Sequence, residues 1–170
     1  MDDESVFYEK QKFNQWWLWI ILLGLSALFI FGSYQQIVMG HVFGDKPMSN
    51  LGLMTITASV LLLPLLFYFS KLETRITKEG IYVRFFPYHL KFKFFPWDSI
   101  SQCYVRQYSA LTEFGGWGLR RGLFGAGRAF NVSGNKGMQL MFNEGNKLLV
   151  GTAKSEELTQ ALLSIGKLID

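Results

Sequence analysis

The sequence predicts a membrane α-helical hairpin followed by an α+β domain of six or seven antiparallel strands, in a bent sheet or partial barrel, with one C-terminal helix. Three observations lead there. Two apolar runs near the start carry no charge. From Leu72 onward apolar and polar residues alternate between Gly/Asn turns, and after Lys154 that period of two gives way to a helical one. The composition agrees: aromatics reach 16 % of the 170 residues while charged residues are only 18 %, and the apolar residues are clustered.

In chain order, residues 1–15, "MDDESVFYEKQKFNQ", read as a cytoplasmic N-terminal tail. The runs "WWLWIILLGLSALFIFGSY" and "LGLMTITASVLLLPLLFYF" follow, each uncharged over 19 residues. A helix of that length crosses a hydrocarbon core of roughly 30 Å. The expected spans are about 16–38 and 51–69, within a hairpin region 16–70 that includes a short external loop. The first run does not read as a cleavable signal, because its flank is acidic and it ends in "SYQQIVM" without a small-residue cleavage site.

Charge sets the expected orientation. Before Trp16 four acids outweigh two lysines, a net of −2; the connecting loop holds one Asp and one Lys; from Lys71 fourteen Lys and Arg face eight acids, a net of +6. Lys10 and Lys12 flank the first run, and Lys71, Arg75 and Lys78 follow the second, against Lys46 alone in the loop. The positive-inside rule therefore predicts a multi-pass cell-membrane protein with both termini cytoplasmic, and Trp16, Trp17 and Trp19 fit an interfacial belt on that side. Pro64 is expected to bend the second helix. No ionisable residue lies centrally in either run, which argues against a proton or transport path. Gly24, Ser26, Ala27, Gly32 and Ser33 would permit close helix contact.

The domain is expected over 71–170. "LETRITKEGIYVRFF" reads as two strands turning at Lys78-Glu79-Gly80, and "LKFKFFPWDSISQCYVRQYS" as two more broken at Pro96, which cannot donate to a ladder. "AFNV", "MQLMF" and "LLVGTA" are further strands, joined by the turns "SGNKG" and "NEGNK". In "KSEELTQALLSIGKLI", Ser155 is the expected N-cap and Glu156 and Glu157 suit the positive helix end. Leu158, Leu162, Ile165 and Leu168 or Ile169 form an apolar stripe.

From Leu72 to the end this order resembles the pleckstrin-homology-like domains of bacterial membrane proteins that join a two-helix hairpin to such a domain. The residues that carry the resemblance are "TKEGIYVRF", "FFPWDSISQCYV", "GGWGLR" and the helix after "VGTAKSEEL". It implies a module for lipid headgroups, peptides or assembly, with no particular ligand. The leading expectation is a membrane-anchored, non-catalytic binding or scaffolding module contacting protein partners, anionic lipid or itself. The alternative is a small structural subunit of a larger membrane complex, with the hairpin as its packing element.

The candidate binding residues lie in "EFGGWGLRRGLFGAGR": Trp117, Arg120, Arg121, Leu123, Phe124 and Arg128. A P-loop would need Lys-Ser or Lys-Thr, and a dinucleotide fingerprint would open a helix; neither follows these glycines. Three readings stand. The glycines permit tight or bulged strands, with Trp117 in the core and the arginines solvated. Alternatively the arginines meet anionic lipid while Trp117, Leu123 and Phe124 insert. In the third reading Trp and Arg anchor a protein partner.

Other chemistry is poorly supplied. Cys103 is alone, so it has no internal disulfide partner, and its strand position predicts a buried small hydrophobe. His41 and His89 read as surface residues of a loop and a turn. No CxxC, HExxH or Ser-His-Asp arrangement is present, so the sequence predicts no enzyme, metal or cofactor. The isoelectric point near 9.2 follows from the positive-inside bias, and no basic stripe points to nucleic acid.

Overall fold

The computed structural model describes residues 5–122 and 125–168. It contains two compact units: Asn14–Phe69, and a domain built from the chain up to Phe13 together with the chain from Ser70.

The first unit is a helix pair. Helix α1 spans Trp16–Ser33 and runs on as one π-helical turn, Tyr34–Val38, while α2 spans Asn50–Phe69 with Pro64 inside it. Both are long and apolar enough to cross a membrane by length and composition. Their small residues are used between themselves. Ser26, Gly32 and Thr57 are buried, and the Ser33 and Thr57 hydroxyls lie 2.7 Å apart. A Cβ on Gly32 would stand 2.6 Å from the Phe43 ring. By contrast a Cβ on Gly24 would meet nothing within 4 Å. Ile21, Leu28, Phe31, Met54, Leu62 and Leu65 are among many exposed apolar side chains, so the pair is apolar all round.

Among the described residues the domain has nine strands in two sheets. The first sheet, in order β1-β2-β3-β4, holds β1 (Ser5–Lys12), β2 (Lys71–Thr77), β3 (Gly80–Phe86) and β4 (Lys93–Pro96). The second, in order β5-β8-β9-β7-β6, holds β5 (Ile100–Gln107), β6 (Gly118–Arg121), β7 (Arg128–Asn131), β8 (Lys136–Phe142) and β9 (Lys147–Gly151). Helix α3 (Ala110–Phe114) precedes β6, and α4 (Ser155–Ser164) follows β9. The seven strands read from the sequence are all present. The additional two are β1 and β6, so two sheets replace the single bent sheet or partial barrel. One pairing, β7 with β9, is parallel, against the all-antiparallel expectation.

The segment read as a tail is therefore an edge strand, paired antiparallel with β2 from Ser5↔Thr77 to Lys12↔Lys71. Phe7, Glu9 and Gln11 alternate inward along it, and Phe13 follows them into the core. Two of these inward residues are polar, and each has a partner at the β9–α4 junction. Gln11 Nε2 donates to the Gly151 carbonyl at 2.7 Å. Glu9 accepts from the Thr152 hydroxyl at 2.6 Å and the Ala153 N–H at 2.9 Å. Thr152 in turn accepts from the Lys154 N–H at 3.0 Å.

That relay changes how α4 begins. Ser155 is its first helical residue rather than its cap, Lys154 occupies the cap position without a side-chain bond, and Thr152 and Glu9 satisfy the preceding N–H groups. Glu156 and Glu157 sit in the first turn as expected, and Leu158, Ala161 and Leu162 are buried. With Leu72, Ile76, Ile81, Val83, Phe85, Met138 and Leu140 they make the core. Cys103 is part of it at 1 % exposure, and burial pushes its thiol up to about 12. His89 departs from its surface reading. Its ring is tilted over Phe130 at 5.3 Å, its Nδ1 accepts from the Phe85 N–H at 3.4 Å, and burial with Lys93 and Arg128 nearby holds it below its ordinary value.

Candidate interaction surfaces

The glycine-rich stretch is a helix end and a β-hairpin. Ser109 caps α3 by accepting from the Thr112 N–H at 3.4 Å, and Gly115, at φ 68°, ends it in the left-handed conformation that glycine adopts without a Cβ penalty. Glu113 receives hydrogen bonds from Arg106 at 2.7 and 3.3 Å and from the Ser109 N–H at 2.8 Å. The Arg106 bonds outweigh burial and hold this carboxyl below its usual range. The acid closest to the three arginines in sequence is thus already engaged by a fourth.

Beyond it β6 and β7 pair from Gly118↔Asn131 to Arg121↔Arg128. Their tight return past β9 depends on Gly127, at φ 83°, where a Cβ would stand 2.4 Å from the Lys147 carbonyl oxygen. Trp117 is half-buried and packs against a cluster of Tyr108, Ala110, Phe114, Ala129 and Leu149. That is the core reading of this residue.

The arginines separate. Arg120 turns back to donate from Nε to the Trp117 carbonyl at 2.8 Å. Arg121 and Arg128 stand directly opposite each other, both exposed, on the strand face that also carries Leu119 and Phe130. Like charges directly opposite in an antiparallel pair are destabilising. Neither has an ion-pair partner among the described residues. Arg128 also lines a groove of about 350 Å³ with Phe94, Pro96, Phe142, Asn143 and Glu144. Leu123 and Phe124 lie outside the described residues. Of the six sequence candidates, then, Arg121 and Arg128 lie together on one strand face, while Trp117 packs on the core and Arg120 bonds to its carbonyl.

A second surface had no motif to announce it. On the outer face of the β1–β4 sheet, Glu73 is only 4 % exposed. Arg84 donates to it from Nε at 2.8 Å and Nη2 at 2.5 Å, Lys71 lies at 3.7 Å, and the Tyr8 hydroxyl donates at 3.3 Å. Burial pushes this carboxyl up, and Arg84, Lys71 and Tyr8 together overcome that and hold it low. The Arg84 guanidinium lies 4.5 Å from the Phe92 ring centre, and Tyr82 stacks on Phe94 at 4.5 Å. Glu73 thus takes up Arg84 and Lys71, and Lys12 and Lys91, both exposed at the end of this sheet, keep their charge in excess.

That end is defined by register: Lys12 pairs with Lys71, and Lys71 with Phe86. The connection from Phe86 to Lys93 leaves from the same end. His89 fixes it by donating its backbone N–H to the Phe85 carbonyl at 2.8 Å and turning its ring inward. On either side of His89, Tyr88 and Leu90 point outward, 58 % and 73 % exposed, and Lys91 is exposed beside them. Among the described residues no group of three His, Cys, Asp or Glu could hold a metal ion.

No curated protein matches the sequence. Residues 2–167 match the family described as "Family of unknown function (DUF6141)", and the chain belongs to that family.

Proposed function

We propose that this protein is a membrane-anchored, non-catalytic binding module. Helices α1 and α2 cross the cell membrane as a hairpin with both termini cytoplasmic, and a pleckstrin-homology-like domain is held at the inner surface. There Arg121 and Arg128 take an anionic group from a protein partner, a lipid headgroup or a second copy. The observation that carries this reading is the insertion of the apolar pair, Asn14–Phe69, between two adjacent strands of one sheet. The domain is thereby fastened at both ends of the pair, and any weak contact it makes at the bilayer is effectively intramolecular. Apolar side chains exposed all round both helices support the hydrocarbon setting. The structural-subunit reading is weaker, because Ser26, Gly32, Ser33 and Thr57 are spent within the pair.

The test is a photo-crosslinking residue at position 121 of the full chain in its own membrane, with position 78 as control. A discrete adduct at 121, absent at 78 and retained in the membrane after alkaline extraction, is expected. Release of the chain by alkali would overturn the anchor. Equal crosslinking at both positions would overturn the binding site.

A further inference from the structure

We infer that the β3–β4 connection is a lipid-contacting foot: Tyr88 and Leu90 seat in the interfacial layer of an anionic bilayer, and Lys12 and Lys91 face its headgroups. This rests on the proposed membrane anchor and adds to it a second, separate contact surface.

Phe13 ends the segment that follows β1, and Trp16 begins α1; Phe69 ends α2, and Lys71 begins β2. An extended chain covers at most about 3.6 Å per residue, so these links reach only about 11 Å and about 7 Å. Both depart from one end of one sheet, where Lys12, Lys71 and Phe86 lie abreast. If α1 and α2 span the bilayer, that end of the sheet cannot lie far from its surface.

What the sheet presents there suits a bilayer. Leu90 is 73 % exposed and Tyr88 58 %, and neither is a loose tip, since His89 between them is wedged over Phe130. A fixed loop gives up little conformational freedom on seating. Tyrosine, with an apolar ring and a polar tip, is a residue that settles at headgroup level. The charges at this end are lysines, and the nearest acid, Glu73, is covered and paired with Arg84 and Lys71, which leaves Lys12 and Lys91 in excess. Anionic headgroups attract such lysines within about a Debye length, roughly 10 Å. The opposite end of the same sheet offers a contrast: the β2–β3 turn at Lys78 and Glu79 presents one charge of each sign and no large apolar side chain. Seven residues of β2 separate the two ends, about 20 Å at the rise of a strand.

The test uses the full chain with Cys103→Ser, reconstituted into vesicles containing anionic phosphatidylglycerol. An environment-sensitive fluorophore is placed on a single cysteine at Leu90, at Tyr88, at Lys78 or at Leu28 within α1. Lipids carrying a nitroxide at headgroup depth or deep in the chain act as quenchers. Labels at 90 and 88 should lose fluorescence to the headgroup quencher, the label at 78 should not, and the label at 28 should be quenched only by the deep nitroxide. Exchanging phosphatidylglycerol for neutral phosphatidylcholine should reduce quenching at 90 and leave position 28 unchanged. Quenching at 28 without quenching at 90 and 88 would overturn the foot and leave the anchor standing. No quenching at 28 would overturn the anchor, and the foot with it. Energy transfer between copies labelled at 90, without lipid quenching, would reassign the surface to self-association and overturn the proposal.

Discussion

Replacing Glu9 with alanine should destabilise the domain by about 3 kcal/mol, although the residue lies in a stretch that reads as a tail. Glu9 is 4 % exposed and is the acceptor for the Thr152 hydroxyl at 2.6 Å and the Ala153 N–H at 2.9 Å. Its removal leaves both donors without that acceptor, at about 1–3 kcal/mol for each buried group left unsatisfied. The relay to the Lys154 N–H loosens with them, so the start of α4 should fray. For a domain of roughly 100 residues, 1 kcal/mol moves the melting midpoint by about 4–8 °C, and a fall of more than about 10 °C follows. Glu9→Gln keeps one acceptor oxygen and should cost about half as much. The assay is thermal unfolding of the detergent-solubilised full chain by near-UV circular dichroism, which reports the packed aromatics of the domain. Glu144→Ala removes an exposed acid from the β8–β9 turn and should change stability by no more than about 0.5 kcal/mol. If Glu9→Ala melts within about 1 °C of the parent, β1 does not hold the start of α4 and the reasoning fails.

Three further outcomes follow from the same contacts. His89 is held below its ordinary value of about 6.5 by burial and by Lys93 and Arg128, so the unfolded chain takes up a proton more readily than the folded one. Its contribution is complete above about pH 6.5 and is lost as the pH falls from there through the lowered folded value; His89→Gln should flatten that slope in melts taken across pH. Arg84→Ala should cost about 2 kcal/mol by the same melt, because Glu73 loses its two strongest hydrogen bonds while solvent around the partly exposed Arg84 screens the charge attraction. Gly127→Ala should cost about 3 kcal/mol, from a left-handed φ and a Cβ 2.4 Å from the Lys147 carbonyl oxygen, and should open the β6–β7 hairpin to limited proteolysis.

The domain from Leu72 was largely legible because its strands obey a period of two and end at Gly, Asn and Pro. β1 was not, for a physical reason. Along "VFYEKQKF" the alternation is real, but Glu9 and Gln11 occupy inward positions, and their partners lie some 140 residues away. Polarity at a core position is intelligible only once those partners are known. β6 was hidden by glycines, which are depleted in strands, and it is held by pairing with β7 rather than by its own propensity. The candidate site was legible in composition but not in direction. The sequence grouped Arg120, Arg121 and Arg128, whereas strand alternation sends Arg120 to the other face. Tyr88 and Leu90 carried no signal beyond exposure, because what singles them out is the end of the sheet at which register places them.

The proposed function requires that α1 and α2 cross the membrane and leave the domain in the cytoplasm. The most direct measurement is the reactivity of single cysteines in the Cys103→Ser chain, at Asp45 between the helices and at Glu144 in the domain, toward a membrane-impermeant maleimide on intact cells. Labelling is expected at 45 from outside, and at 144 only after the cells are permeabilised. Labelling at 144 on intact cells, or protection of 45 until permeabilisation, would contradict it.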